Sequence, residues 1–257
     1  MFAPAVNLLP RVRRRWRLAR LRGDAVECPC CGGRFREFMP GRDPTNPICP
    51  RCGAQARHRA LWLYLHERTH LFSGKGLRVL HFAPERALGR ALATAPGIEY
   101  VSADLHDPGA MEHFDITDIP HPGGSFDAIL CIHVLEHVED DRKAMRELRR
   151  ILAPGGFAIV LVPLDLDRPD TYEDPAITEP EERERAFWQS DHLRLYGRDF
   201  PDRLREAGFD VTVDQWVRGL DPGLTKRYGL FPLEDMYICR VPSSQFPVLS
   251  PRTGARR

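Results

Sequence analysis

Lysine is almost missing from this sequence: there are three, against 34 arginines. That ratio looks more like a coding bias than selection for bidentate contacts. Long hydrophobic runs are missing too. No stretch approaches the roughly 18 uncharged apolar residues that span a bilayer. The first apolar stretch, "FAPAVNLL", stops at Pro10 without a cleavage pattern. From these absences neither a membrane-spanning helix nor an ordinary secretory leader is expected, and the expectation is a cytoplasmic, globular chain. No internal repeat or low-complexity tract is present, which excludes solenoid and fibrous designs. Glycine is absent from "LRVLHFAPE", Leu77 to Glu85, which otherwise reads as a buried strand entering a ligand-binding turn. A glycine-rich phosphate cradle is excluded there.

What is present is unevenly spread. Residues 1–60 hold 13 Arg and 4 acids, net +9, so a total of +1 leaves −8 for residues 61–257. Seven of those arginines lie in "RVRRRWRLARLR", an expected helix or tail over residues 1–23 whose charge suits RNA phosphates or another anionic partner. Five of the seven cysteines fall between residues 28 and 52. Cys28 and Cys31 form one C-x2-C pair and Cys49 and Cys52 another, each written C-P-x-C-G or its near equivalent. With 17 residues between the pairs, the spacing is that of a four-thiolate zinc site rather than a disulfide framework. Gly32 and Gly53 relieve the two turns, and Cys30 is a spare thiol. A closed site of this kind stabilises a segment, residues 24–54, too short to bury its own core.

Beyond it, "AQARHRALWLYLHERT" places Ala60, Leu61, Tyr64 and Leu65 at helical spacing, with His58, His66 and His70 as decoration. Gly74 and Gly76 punctuate the chain before a strand at Leu77–Phe82. A helix at 86–93, a strand "EYVSADL", a strand at 127–132, an amphipathic helix "DDRKAMRELRRIL" and a strand "FAIVLVP" follow. Near-continuous apolar strands alternating with helices predict a parallel sheet covered on both faces. A polar insertion over about 164–197 then interrupts the pattern, of a length usual for functional loops. A helix "RDFPDRLREA" and two strands, "FDVTVDQW" and "LEDMYICRV", complete a domain over 55–241, before a tail at 242–257.

"YVSADL", "DITDIPHPGGSFDAILCIHVLEHV" and "RELRRILAPGGFAIVLVP", in that order, resemble the second, fourth and fifth strand regions of the class I S-adenosylmethionine-dependent methyltransferases. The resemblance covers about residues 77–240. It implies an α/β, Rossmann-like, seven-stranded mostly parallel sheet with a reversed last hairpin, and a ligand outside the carboxyl ends of the strands. Asp104 lies 20 residues after Pro84, a spacing at which an acid meets ribose hydroxyls, with Leu105 beside it. Asp118 is expected to accept from the adenine amino group while Ile119 packs on the ring, and His133 to line the methyl-donor end. Family members carry an acid and glycines where this chain has His81, Phe82, Ala83, Pro84 and Glu85. S-adenosylmethionine has no phosphates and so does not need a glycine-rich cradle; Ala83 is small enough for close approach, and Glu85 is expected to replace the missing acid toward the methionine amino group.

A sulfonium methyl is already activated, so catalysis is in-line positioning plus removal of a proton where the acceptor requires it. The insertion supplies His192 as the expected general base, with Asp191 and Tyr196 beside it. The expected activity is methyl transfer to a small metabolite, sugar or glycan, using S-adenosylmethionine and a structural Zn2+ held by Cys28, Cys31, Cys49 and Cys52. The alternatives are an rRNA or tRNA methyltransferase using the basic zinc module, and a non-catalytic zinc-ribbon binding protein with a degenerate methyltransferase domain.

Overall fold

The computed structural model describes residues 15–41, 46–73 and 76–242. The arginine-rich start up to residue 14, Gly74 and the expected tail from residue 243 lie outside the described residues. β1 (Arg22–Cys28) and β2 (Gly33–Phe35) form an antiparallel hairpin. α1 (Ala56–Arg68) then buries Ala60, Leu61, Tyr64 and Leu65, as the spacing predicts. His58 is not decoration: it is buried, and its Nδ1 accepts from the Gln55 backbone N–H, capping the first turn.

Next come β3 (Leu77–Phe82), α2 (Arg86–Ala93), β4 (Ile98–Ala103), β5 (Phe126–Ile132), α3 (Asp141–Ile151) and β6 (Leu152–Leu161). Asp140 caps α3 by accepting from Lys143 N (2.8 Å), and Ala144, Met145, Leu148 and Ile151 turn to the core. The insertion folds as β7 (Tyr172–Glu173), α4 (Pro180–Phe187) and β8 (Arg194–Leu195), with β7 and β8 paired antiparallel. α5 (Phe200–Glu206), β9 (Asp210–Asp214), α6 (Pro222–Tyr228) and β10 (Met236–Arg240) end the described chain.

The main sheet has the order β4-β3-β5-β6-β10-β9. Its first four strands run parallel, and β10 pairs antiparallel with both β6 and β9, giving the reversed hairpin. Six strands are present among the described residues, not seven. Next to β4 the expected edge strand is reduced to Glu112, whose N–H donates to Ser102 O (3.0 Å) and whose carbonyl accepts from Asp104 N (3.1 Å). Its flanks, "HDPGAM" and "HFDITDIP", are rich in the Asp, Pro and Gly that strands disfavour.

The sheet core is Leu80, Ile129, Leu130, Ile159 and Val160, all fully buried. Reversal of strand order on either side of β3 leaves a crevice at the carboxyl ends of β3, β4 and β5, where ligands bind in open α/β sheets. No helix among the described residues is long and apolar enough to cross a membrane.

Candidate active site

A cavity of about 880 Å³ opens at that crevice. Its walls bring together Ala83 after β3, Asp104 and Leu105 after β4, and His133 after β5, with Asp191 from the insertion. These five of the expected site residues share one cavity.

The turn after β3 shows how a glycine-free segment reaches the cavity. Ala83 has φ +44°, the left-handed region that glycine favours, while its N–H donates to Ala103 O (2.9 Å) and so continues the β3–β4 ladder. His133 does the same one strand over: φ is +54° and its N–H donates to Leu161 O (2.8 Å). Two non-glycine residues in that region at one cavity mark a site held in shape by its surroundings. Asp104 Oδ1 accepts from the backbone N–H groups of His106 and Asp107, both at 2.7 Å. Among the described residues nothing bonds its Oδ2.

Glu85 is placed otherwise. It does not line the cavity but sits in a closed cluster: Oε2 accepts from His81 Nε2 (3.0 Å), and Oε1 lies 3.3 Å from His58 Nε2. His81 Nδ1 is in turn 3.1 Å from the Tyr100 hydroxyl. Burial alone raises the Glu85 carboxyl, but the two imidazoles override it and hold it well below the usual carboxylate range. Burial pushes His58 below its ordinary value. Glu85 is thus a tie between α1 and the turn after β3, with no oxygen turned to the cavity.

Asp118 and Ile119 are also displaced from the cavity. Ile119 is buried in the core, its N–H donating to Glu147 Oε2 (3.0 Å), and Asp118 is exposed. Asp115, Ile116 and Thr117 line the wall instead. The segment "DITDIP" contains Asp-Ile twice, and the first copy, nearer the end of the edge segment, is the one that reaches the site.

Of the three expected catalytic residues, two are buried elsewhere. Tyr196 is fully buried and donates to Asp141 Oδ2 (2.7 Å), within a cluster in which Arg203 Nη2 donates to Asp141 and Arg194 Nε donates to Glu173. Burial pushes its hydroxyl well above the ordinary range, so it holds its proton. His192 is 2% exposed, donates from Nδ1 to Phe187 O (2.8 Å) and accepts at Nε2 from the Gln189 amide (2.6 Å). Burial pushes it below its ordinary value, and it lies behind the wall. Sequence reading missed Glu136 and His137, although "HVLEH" spaces His133, Glu136 and His137 for one face of a helical turn; Leu135–His137 is a 3-10 turn. His137 lines the cavity and its Nδ1 lies 3.4 Å from Asp191 Oδ2.

Away from the cavity, Cys28, Cys31, Cys49 and Cys52 converge, with all four sulfurs within 4.8 Å of one another. Cys28 to Cys52 is 3.6 Å and Cys31 to Cys49 is 3.7 Å. A tetrahedral ion with Zn–S of about 2.3 Å sets sulfurs about 3.8 Å apart, so the four thiols fit. Cys30 turns away, donating to His58 O (3.6 Å). Arg59, fully buried, fastens this module to the domain. It donates from Nη1 to Pro47 O (2.9 Å) and Ala54 O (2.6 Å), from Nε to Tyr228 O (2.6 Å) and from Nη2 to Gly229 O (2.7 Å).

Comparison with known proteins agrees with this geometry. Residues 74–160 match the family described as "Methyltransferase domain". Ajmaline N-methyltransferase of Rauvolfia serpentina is 37% identical over 132 residues, covering 49% of this chain and 40% of the relative. Demethylmenaquinone methyltransferase of Clavibacter sepedonicus is 32% identical over 100 residues, 33% of this chain and 40% of the relative. The 27-O-demethylrifamycin SV methyltransferase of Amycolatopsis mediterranei is 28% identical over 151 residues, 57% of this chain and 53% of the relative. The chain therefore spans about half the length, or less, of these curated relatives. With the strand order, the acid after β4 and the reversed hairpin, the match identifies a class I S-adenosylmethionine-dependent methyltransferase domain in this chain.

Proposed function

We propose that the protein transfers a methyl group from S-adenosylmethionine to a small-molecule acceptor. One observation carries the reading: a single cavity of about 880 Å³ joins the Asp104 carboxylate to the left-handed turns at Ala83 and His133. Such a volume is of the size that encloses cofactor-sized ligands. Asp104 would meet the ribose hydroxyls through Oδ2, Asp115 the adenine amino group, and Ile116 a face of the base. The turn at Ala83 admits the methionine end because its side chain is a single methyl. When bound, the donor supplies an activated sulfonium methyl, and this chain's residues bind, orient and exclude water.

The three relatives are named for ajmaline, demethylmenaquinone and a demethylrifamycin, which supports a small acceptor over a polymer. For the cysteine cluster we propose structural Zn2+: four thiolates at tetrahedral spacing leave no open position for chemistry.

Isothermal titration of S-adenosylmethionine into zinc-loaded protein tests the reading. Micromolar binding is expected, weakened on the order of a hundredfold in Asp104→Ala by loss of hydrogen bonds to a charged acceptor. Absence of binding in the unaltered chain overturns it.

A further inference from the structure

Behind the wall that carries His133 lies a buried carboxylate whose oxygens accept no hydrogen bond among the described residues. Glu136 is 1% exposed, and among the described residues neither of its oxygens accepts a hydrogen bond, although His133 Nδ1 stands 3.2 Å from Oε1. Buried polar groups are nearly always satisfied, and an exception calls for an explanation such as a bound ion. Here two imidazoles supply one: Glu136, His137 and His192 each offer a ligand atom, and these atoms all lie within 4.8 Å of one another.

The surrounding bonds orient them as metal ligands. His192 gives its Nδ1 proton to the Phe187 carbonyl, which fixes the tautomer and leaves the lone pair on Nε2. A backbone carbonyl on the far nitrogen is the usual support of a ligating histidine. The group now facing Nε2 is the amide of Gln189, an exposed side chain able to swing aside. His137 has Asp191 beside its Nδ1. Its ring stands 4.9 Å from that of His192, nearly perpendicular at 82°.

We propose that Glu136, His137 and His192 bind a divalent transition-metal ion whose remaining positions face the cavity and take an oxygen of the methyl acceptor. Two imidazoles and one carboxylate suit ions such as Zn2+, Mn2+ or Fe2+, whereas alkaline-earth ions prefer oxygen alone. Three protein ligands leave room for a further ligand, and His137 and Asp191 carry the site to the cavity wall.

This rests on the methyltransferase reading for its substrate class, which becomes a hydroxylated small molecule. The ion lowers the pKa of the acceptor hydroxyl. Its proton passes to the Asp191 carboxylate, 70% exposed, and on to solvent. The oxygen lone pair forms the new O–CH3 bond, the S–CH3 bond breaks, and its electron pair stays on sulfur, turning sulfonium into neutral thioether. No oxidant or reductant is involved.

The test is a titration with Mn2+ of the full chain carrying a single equivalent of Zn2+, which the four thiolates take first, without methyl donor, read by loss of the free-ion electron paramagnetic resonance signal. Mn2+ prefers oxygen and nitrogen ligands to thiolates, so the cysteine cluster does not register. One Mn2+ per chain is expected, lost in Glu136→Gln and weakened at least tenfold in His137→Ala. The His137 side chain is 33% exposed, so its removal spares the fold and decides the matter if Glu136→Gln does not fold. No Mn2+ binding, or binding unchanged in both variants, overturns the proposal. Calorimetry with S-adenosylmethionine separates the two readings. Donor binding by a chain that takes no Mn2+ overturns the metal site alone, and Mn2+ binding without donor binding overturns the methyltransferase reading while leaving the ion site standing.

Discussion

At the scale of single residues, the cavity depends on two side chains in a backbone region they disfavour. Ala83 is tolerated at φ +44° because a methyl is the smallest side chain other than hydrogen. A β-branched residue there is a genuine outlier, so Ala83→Val is expected to lower unfolding free energy by about 1–3 kcal/mol and to abolish donor binding, while Ala83→Gly keeps both. Denaturant unfolding and calorimetry on the pair check this. Glu85 makes a second prediction. Its folded pKa and that of His58 both lie below their ordinary values of 4.5 and 6.5. Below each ordinary value the unfolded chain binds the proton more readily, so stability is present above it and lost as pH falls. The melting temperature is expected to decline first below about pH 6.5 through His58, then again below about 4.5 through Glu85. Glu85→Gln should flatten the second decline, and a second decline of unchanged depth counts against the tie.

At the scale of elements, the polar insertion is an anchored structure. Arg194 donates to the Leu135 and Glu139 carbonyls at 2.9 Å each, so β8 grips the turn that bears Glu136 and His137. Tyr196 and Arg203 close on Asp141 at the start of α3. Tyr196→Phe is expected to cost about 1.5–3 kcal/mol of stability, the worth of a hydrogen bond to a charged group, with the methylation rate per folded molecule unchanged. A large fall in that rate with stability intact would return Tyr196 to catalysis. The same region shows what a sequence can disclose. β3, β5, β6 and α3 were legible because their apolar patterns match buried strands and an amphipathic helix, and the place of Asp104 on the cavity wall followed from its distance past β3. That Asp115 rather than Asp118 lines the cavity was not legible, since a repeated dipeptide offers no local reason to prefer one copy. Tyr196, His192 and Glu85 misled for one reason: a polar residue beside a cavity and a polar residue in a buried cluster have the same letter, and only three-dimensional partners separate them.

At the scale of the whole molecule, the cysteine module and the methyltransferase domain share α1. His58 and Arg59, neighbours on that helix, face different clients: one holds Glu85 at the cavity turn, the other binds four carbonyls of the module and the end of α6. Arg59→Met should therefore leave the Pro47, Tyr228 and Gly229 carbonyls without their donor, Ala54 O keeping the Cys49 N–H (2.8 Å), and cost about 3 kcal/mol, seen as a lower denaturation midpoint with the cysteine cluster still able to hold zinc.

That joint also sets how freely related chains can diverge. Carbonyl oxygens belong to every residue type, so substitutions at Pro47, Ala54 or Tyr228 leave Arg59 its acceptors. Gly229 is the exception: with φ at +58°, a side chain there would meet the Phe38 ring at 2.6 Å and the guanidinium at 3.0 Å. At this joint the one arginine and the one glycine, 170 positions apart, are therefore the positions that tolerate least change, while the residues that offer only a carbonyl are open to substitution.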